Sequence, residues 1–180
     1  LNFKTSIIEF SVCAELAMVD PYTYFSFPYC FGGAGIFRFN PFSYDNDNNK
    51  TFLRPLRTEG QGLAAFPDRK PYSLTQFCIP FGVGWKVNLK NSFQLSYEFG
   101  YRYLFTDYLD DVSKRYVSLT TLEQEKGPIS AQMSYRKKEP FNEEGEVRGN
   151  SKVRDLYFFT GFKIAVWLGR KSKEENSTAL

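Results

Sequence analysis

The chain has 180 residues, with 23 Lys plus Arg against 20 Asp plus Glu, a formal charge of +3 and no histidine. A balance that mild excludes nucleic acid as an expected partner, which calls for a clustered basic face, and the absence of imidazole excludes Ser-His and Cys-His nucleophile systems and most zinc sites. Aromatic residues make up 18% of the chain while mean hydropathy is −0.40, and no apolar run is long enough for a membrane helix, which leaves a soluble β protein or a transmembrane β-barrel.

Five segments alternate with period two. In the first, Ile8, Phe10, Val12, Ala14, Leu16 and Met18 share one parity, opposite Glu9, Ser11, Cys13 and Glu15. The second sets Tyr29, Phe31, Gly33, Gly35, Phe37 and Phe39 against Cys30, Gly32, Ala34, Arg38 and Asn40. The third sets Phe77, Ile79, Phe81, Val83, Trp85, Val87 and Leu89 against Gln76, Cys78, Gly82, Gly84, Lys86 and Asn88. The fourth sets Phe93, Leu95, Tyr97, Phe99, Tyr101, Tyr103 and Phe105 against Gln94, Ser96, Glu98, Gly100 and Arg102. The fifth sets Phe158, Thr160, Phe162, Ile164, Val166 and Leu168 against Gly161, Lys163 and Ala165. Successive side chains of a strand point to opposite faces, so each segment has one apolar face, and none of the five carries a charge. Ile36, Leu104, Phe159 and Trp167 are the bulky exceptions on the other parity.

A soluble sandwich or barrel places the apolar face inward; an outer-membrane barrel places it on lipid. Three features favour the second. The apolar rows are bulky while the opposite rows are rich in Gly, Ala, Ser and Cys, which suit a narrow interior. The segments are long enough to cross a bilayer when tilted. Tyr and Trp, among them Tyr22, Tyr24, Tyr44, Tyr72, Trp85, Tyr101, Tyr103, Tyr108 and Trp167, gather near segment ends, as in interfacial girdles.

The connections alternate short (Asp20-Pro21-Tyr22-Thr23 and Lys90-Asn91-Ser92) and long (41–73 and 107–154). With the short turns in the periplasm, the first strand begins outside, and a barrel with both ends in the periplasm then needs an odd number of further strands. Three more give eight, an up-and-down antiparallel barrel of which this chain, which starts at Leu1 without an initiator Met, holds about five strands. The barrel is expected over 1–169, with a periplasmic tail over 170–180. Within 114–140, helix formers around Gly127-Pro128 predict a short helix, a break and a second short element.

Candidate chemistry is sparse. The Gly32-Gly33-Ala34-Gly35 and Gly82-Val83-Gly84 runs lie inside strands and read as curvature or close approach of a neighbour, not as phosphate loops. Asp45-Asn46-Asp47-Asn48-Asn49 lacks the Gly and the closing Glu of a calcium loop and reads as a solvated tip. Asp107, Asp110 and Asp111 have no fixed ligand geometry, so no metal or cofactor is expected. A three-residue turn at 90–92 places residue i opposite 182 minus i, so Lys86 lies diagonal to Glu98, and the two are expected to pair in the lumen, with Arg102 and Lys163 joining Glu9 or Glu15. A first hairpin centred between Pro21 and Tyr22 places Cys13 opposite Cys30, which leaves open an intrachain disulfide, reduced thiols, or a bond to a partner. No Cys-x-x-Cys pair occurs among Cys13, Cys30 and Cys78. The long 107–154 insertion is either a functional region or a solvated loop.

The stretches 28-PYCFGGAGIFRFNP-41, 58-TEGQGL-63, 67-PDRKPYSLTQFCIPFGVGWK-86, 97-YEFGYRYLFTDYLDDVS-113, 148-RGN-150 and 157-YFFTGF-162 together resemble the PorG-like outer-membrane β-barrel family of Bacteroidota. The tail after Gly169 departs from that pattern. The resemblance implies an outer-membrane location, no catalytic residues and no cofactor. It also implies a structural role in the type IX secretion and gliding machinery, in contact with the periplasmic ring of the lipoprotein PorK and PorN. On that implication, the ring contacts come from Asp20, Pro21, Tyr22, Thr23, Lys90, Asn91, Ser92 and the tail. The rival expectations are a small outer-membrane enzyme and a soluble ligand-binding barrel.

Overall fold

The computed structural model describes residues 2–89, 93–137, 139–142 and 144–166. In chain order the elements are β1 (Ile8–Ala17), β2 (Ser26–Arg38), β3 (Phe42–Tyr44), β4 (Lys50–Phe52), a 3-10 turn (Arg54–Leu56), β5 (Thr75–Asn88), β6 (Phe93–Leu104), α1 (Leu119–Lys126), α2 (Pro128–Ser134) and β7 (Leu156–Val166). The five long strands form one antiparallel sheet in the order β1-β2-β5-β6-β7, and β3 and β4 form a separate hairpin. Among the described residues, no strand pairs with the outer edges of β1 and β7. The fold is therefore mostly antiparallel β, and the two short helices lie where the Gly127-Pro128 break predicts them: Gly127 ends α1 and Pro128 opens α2.

The sheet is strongly curled. Four strand spacings of a flat sheet are about 19 Å, beyond the combined reach of a Tyr and a Glu side chain. Yet Tyr157 on β7 donates to Glu9 on β1 at 2.6 Å, and Lys163 on β7 reaches Glu15 on β1 at 3.0 Å. Both contacts lie on the concave face.

The two faces differ in chemistry. The convex face carries Ile8, Phe10, Val12 and Leu16 of β1, Phe77, Phe81, Val83 and Trp85 of β5, Phe93, Tyr97 and Phe99 of β6, and Phe158, Phe162 and Ile164 of β7, all exposed. Charges turn inward: Glu98 is only 9% exposed, and Arg102 and Glu9 are nearly covered.

One strand departs from the expected phase. Tyr29, Phe31, Phe37 and Phe39 are buried on the concave side, and Ile36 is exposed on the convex side. The cause is the first hairpin, in which Ile8 pairs with Arg38 and Ala17 with Tyr29. Its centre falls at Thr23, not between Pro21 and Tyr22, because the residues after Asp20 form a wider turn in which Thr23 and Tyr24 both donate backbone N–H to the Asp20 carbonyl. An odd change of register exchanges the faces of the whole strand. The same shift separates the two cysteines: Cys13 pairs with Gly33 and Cys30 with Leu16, so they occupy opposite faces, and both are free thiols, as is Cys78. The facing Cys13–Cys30 pair is thus not formed.

The inverted phase of β2 is stabilised by the glycines of β5 and β6. A methyl group at Gly84 would lie 2.5 Å from the Tyr29 ring, one at Gly82 2.6 Å from Phe31, and one at Gly100 2.5 Å from Phe159. These glycines are the floor on which inward aromatic rings rest, which is the close approach expected of strand glycine. Toward the loop end, Phe37, Phe39, Cys78 and Leu104 pack with Tyr72 from the 53–74 loop into a buried cluster, with Ile7, Tyr108 and Tyr157 at its margin. Phe39, Tyr72 and Tyr108 form a continuous stack, with ring centroids 6.1 and 4.6 Å apart.

Candidate functional site: a charged concave face beneath a loop cap

The inward rows of the sheet place three carboxylates and three cations within reach of one another. At the short-turn end, Glu15 accepts from Lys86 and from Lys163, and Lys163 also pairs with Glu98 at 2.6 Å. Tyr29 donates its hydroxyl to Glu98 and lies beneath the Lys86 ammonium, 4.4 Å from ring centroid to Nζ. Nearer the loop end, Arg102 Nε lies 2.8 Å from both oxygens of Glu9, which also accepts from Tyr157. The Arg102 guanidinium stacks over Phe159 at 4.4 Å. The β5–β6 register is the expected one, with Gly84 opposite Glu98. The expected Lys86–Glu98 pair is replaced: curling of the sheet brings β1 over β5, so Lys86 takes Glu15, and Glu98 takes Lys163 from its neighbour β7. Arg102 and Lys163 join Glu9 and Glu15 as expected.

Every carboxylate in this cluster has a cationic partner and every cation a carboxylate. The charges balance, three carboxylates against three cations. Truncating one member leaves another charge poorly solvated.

The second assembly is the cap formed by 53–73 and 106–155 at the loop end. Its centre is Glu59, fully buried, which accepts from the backbone N–H groups of Ser113 (2.9 Å) and Lys114 (3.0 and 3.1 Å) and pairs with the covered Arg148 guanidinium at 3.2 Å. Arg148 also donates to Thr58 Oγ1 and the Asp111 carbonyl. Asp111, in the left-handed region at φ 67°, accepts from Thr58 (2.5 Å) and Tyr72 (2.7 Å). Burial pushes the Asp111 carboxyl up to about 6, against the pull of Thr58, Tyr72 and Arg148. Helix α2 is tied in through Ser130 and Ser134, whose hydroxyls donate to the Leu56 and Thr58 carbonyls.

Asp107, Asp110 and Asp111 do not converge on one point. Asp107 accepts from Ser113 Oγ, Asp110 from the Val112 N–H, and Asp111 from Thr58 and Tyr72. Burial raises the Asp107 and Asp110 carboxyls, and raises Asp155 to about 6, with Asp110 and Asp107 adding to the effect. Among the described residues there is no group of three metal-ligating side chains. A cleft of about 350 Å³ opens beside this segment, walled by Tyr72, Phe105, Asp107, Tyr108, Lys114 and Arg154. At the Asp45–Asn49 tip, the Asp45 carboxylate accepts from the N–H and amide of Asn49, a closed turn.

At the opposite end, Asp20 organises the short turn. Its carboxylate accepts from the Tyr22 N–H (3.0 Å) and the Thr23 hydroxyl (2.5 Å), and these bonds hold its carboxyl below the usual range. The turn presents Tyr22 98% exposed, with Tyr24 and Phe25 exposed beside it. Pro21 and Thr23 complete this projecting turn. Lys90, Asn91 and Ser92, along with the 170–180 tail, lie outside the described residues.

Thr58, Glu59 and Arg148 have no assigned role in the sequence reading, although 58-TEGQGL-63 and 148-RGN-150 stand out there as motifs; Tyr72, expected in an interfacial girdle, is instead buried in the cap, donating to Asp111. The signal that marks them is a charged residue beside glycine in two distant loops, one acidic and one basic. Comparison with family models, with curated proteins and with solved structures returns no match, so the class of the molecule rests on its own geometry: a curled antiparallel sheet with an apolar exterior, a charge-balanced interior and a structured cap.

Proposed function

We propose that this chain belongs to a narrow transmembrane β-barrel of an outer membrane, with a non-enzymatic, anchoring role. The observation that carries the reading is the convex face. From Ile8 to Met18, Phe77 to Leu89, Phe93 to Phe105 and Leu156 to Val166, the outward rows hold no charged residue, and most of their large side chains are exposed. An apolar patch of that extent is foreign to water-soluble monomers, whereas a transmembrane barrel requires it. Along β5, the outward row from Phe77 to Val87 covers ten residue steps, roughly 33 Å of strand. At a tilt of about 40° that rises about 25 Å, the height of the apolar band of an outer-membrane barrel.

The barrel we propose has eight strands. In a ring of eight, the first and fifth strands stand opposite each other, and the interior is just wide enough for side chains to fill. The Glu9–Tyr157 and Glu15–Lys163 contacts between the outermost strands support that radius. The unpaired edges of β1 and β7 are where further antiparallel strands would add. An interior filled by rings on glycine and by mutually neutralised charges supports anchoring over transport or catalysis.

The partner reading follows from the resemblance to the PorG-like family: the short-turn end, Asp20 to Thr23, contacts a periplasmic ring of PorK and PorN. Supporting it is the Tyr22 side chain, held fully outward by a turn that Asp20 braces, in the manner of an aromatic contact residue. The test has two arms. The full-length protein should fractionate with outer membranes and resist extraction without detergent; recovery as a detergent-free monomer overturns the barrel. In mild detergent, the parent should retain ring subunits and a Tyr22→Ser, Asp20→Ala variant should lose them; equal retention overturns the contact.

A further inference from the structure

Above the loop end of the sheet, the convex rows of β1 and β2 continue into a small cationic and aromatic face. The alternation of β2 runs on unbroken: Ile36, Arg38, Asn40, Phe42 and Tyr44 point outward, while Phe37, Phe39, Pro41 and Ser43 are buried. The row of β1 extends back from Ile8 through Ser6 to Lys4, which forms an antiparallel bridge with Phe42. In the β3–β4 hairpin, Phe42 pairs with Phe52 and Tyr44 with Lys50, so all four share this face. Lys50 Nζ lies 4.0 Å from the Phe42 ring centroid and 5.0 Å from that of Phe52, and Lys4 Nζ lies 5.5 Å from that of Tyr44. Lys4, Arg38 and Lys50 are exposed, and among the described residues none of them pairs with a carboxylate. Of the nearest acidic residues in sequence, Glu9 faces the concave side and holds Arg102, and Asp45 and Asp47 are at the hairpin tip, with Asp45 already satisfied by Asn49.

We propose that this face binds the phosphate-bearing headgroup of an anionic lipid in the outer leaflet; the proposal rests on the membrane reading above. Ammonium groups over aromatic rings keep their charge outward and cannot be neutralised by the ring. Arg38 lies opposite Ile8, at the edge of the apolar band, and Lys4 lies four residues, roughly 13 Å of strand, beyond it, so the cations run from that edge outward into the headgroup layer. Aromatic rings at that level suit the interface, where one edge meets hydrocarbon and the other meets water. The chemistry recognised is therefore a phosphate directly continuous with an acyl region.

The full chain is inserted into bilayers of phosphatidylcholine alone and of phosphatidylcholine with phosphatidylglycerol, and the lipid retained after detergent transfer is identified by native mass spectrometry. The parent should retain phosphatidylglycerol in preference, and inorganic phosphate should not displace it. A Lys4→Gln, Arg38→Gln, Lys50→Gln variant should insert equally well but lose the preference, by about fivefold per cation removed. Lys50→Arg should keep it, which separates charge from hairpin packing. Insertion with no headgroup preference, or an unchanged preference in the triple variant, overturns the proposal alone. Displacement by inorganic phosphate assigns the site to the free anion and overturns the lipid. Failure to enter phosphatidylcholine overturns the membrane reading and the proposal with it.

Discussion

Tyr157 Oη lies 2.6 Å from Glu9 Oε2, a hydrogen bond between the two edge strands of a five-stranded sheet. Arg102 shares that carboxylate, and its guanidinium is almost covered. The contact fixes the curvature of the sheet and depends on a charge that has no other carboxylate to turn to. Glu9→Ala should therefore cost about 3 kcal/mol, because it strands a buried guanidinium. Tyr157→Phe, which removes one hydrogen bond, should cost about 1 kcal/mol. A Glu9→Leu, Arg102→Met double variant should stay close to the parent. Urea unfolding of the three variants in detergent checks the order. Equal midpoints for Glu9→Ala and the parent would mean that the carboxylate does not hold the edges together.

The glycine floor makes a second, local prediction. Tyr29 is pinned by Glu98 at its hydroxyl and by Lys86 over its ring, so it cannot yield to a methyl group 2.5 Å away at Gly84. Gly84→Ala should destabilise the sheet by about 1 to 3 kcal/mol. Gly161→Ala on the facing strand, where nothing lies within 4 Å of the new carbon, should remain within about 0.5 kcal/mol of the parent. Thermal unfolding of the pair, compared side by side, tests whether glycine is needed for space or merely tolerated.

The period-two signal made most of the sheet legible from the residues alone. It located β1, β5, β6 and β7 with the right phase, and the short β5–β6 connection fixed that register. It failed on β2 because phase there depends on the width of the Asp20 turn, and Tyr29, Phe31, Phe37 and Phe39 resemble an outward row by composition. Ile36 and Phe159, the bulky exceptions, were the visible sign: Ile36 faces outward, and Phe159 fills the space over Gly100. The charged residues of the interior could be named, but their pairing could not, since Lys86 meets Glu15 only through curvature. The Glu59–Arg148 cap was hidden because its partners are 89 residues apart in loops without periodicity.

The cap should be pH-sensitive in an unusual direction. Asp111 is buried and its carboxyl is raised to about 6, whereas in the unfolded chain it titrates near about 4. The folded state therefore holds the proton more tightly. The stabilisation is fully present below about pH 4 and is lost as pH rises through about 6, on the order of 3 kcal/mol in all. Burial drives the effect, Thr58, Tyr72 and Arg148 oppose it, and Glu59 adds to it. Amide exchange of Ser113 and Lys114, corrected for intrinsic rates, should speed up between about pH 4 and pH 7. Asp111→Asn should flatten that dependence; an unaltered profile in the variant would assign the titration elsewhere, with Asp155 the next group to test.

The convex face gives the sharpest contrast between lipid and water. Val83 is exposed mid-strand on β5, between Cys30 of β2 and Phe99 of β6. On a water-facing sheet, Val83→Arg would shift stability by no more than about 0.5 kcal/mol. Facing hydrocarbon near the bilayer centre, it should cost about 2 to 4 kcal/mol, while Leu89→Arg, close to the short-turn end, should cost no more than about 1. Reversible unfolding in lipid bilayers reads this depth dependence directly. A uniform, small effect at both positions would place the aromatic rows in water; a cost that grows toward the strand centre is expected only where hydrocarbon covers Val83, because water has no depth profile to impose on an exposed side chain.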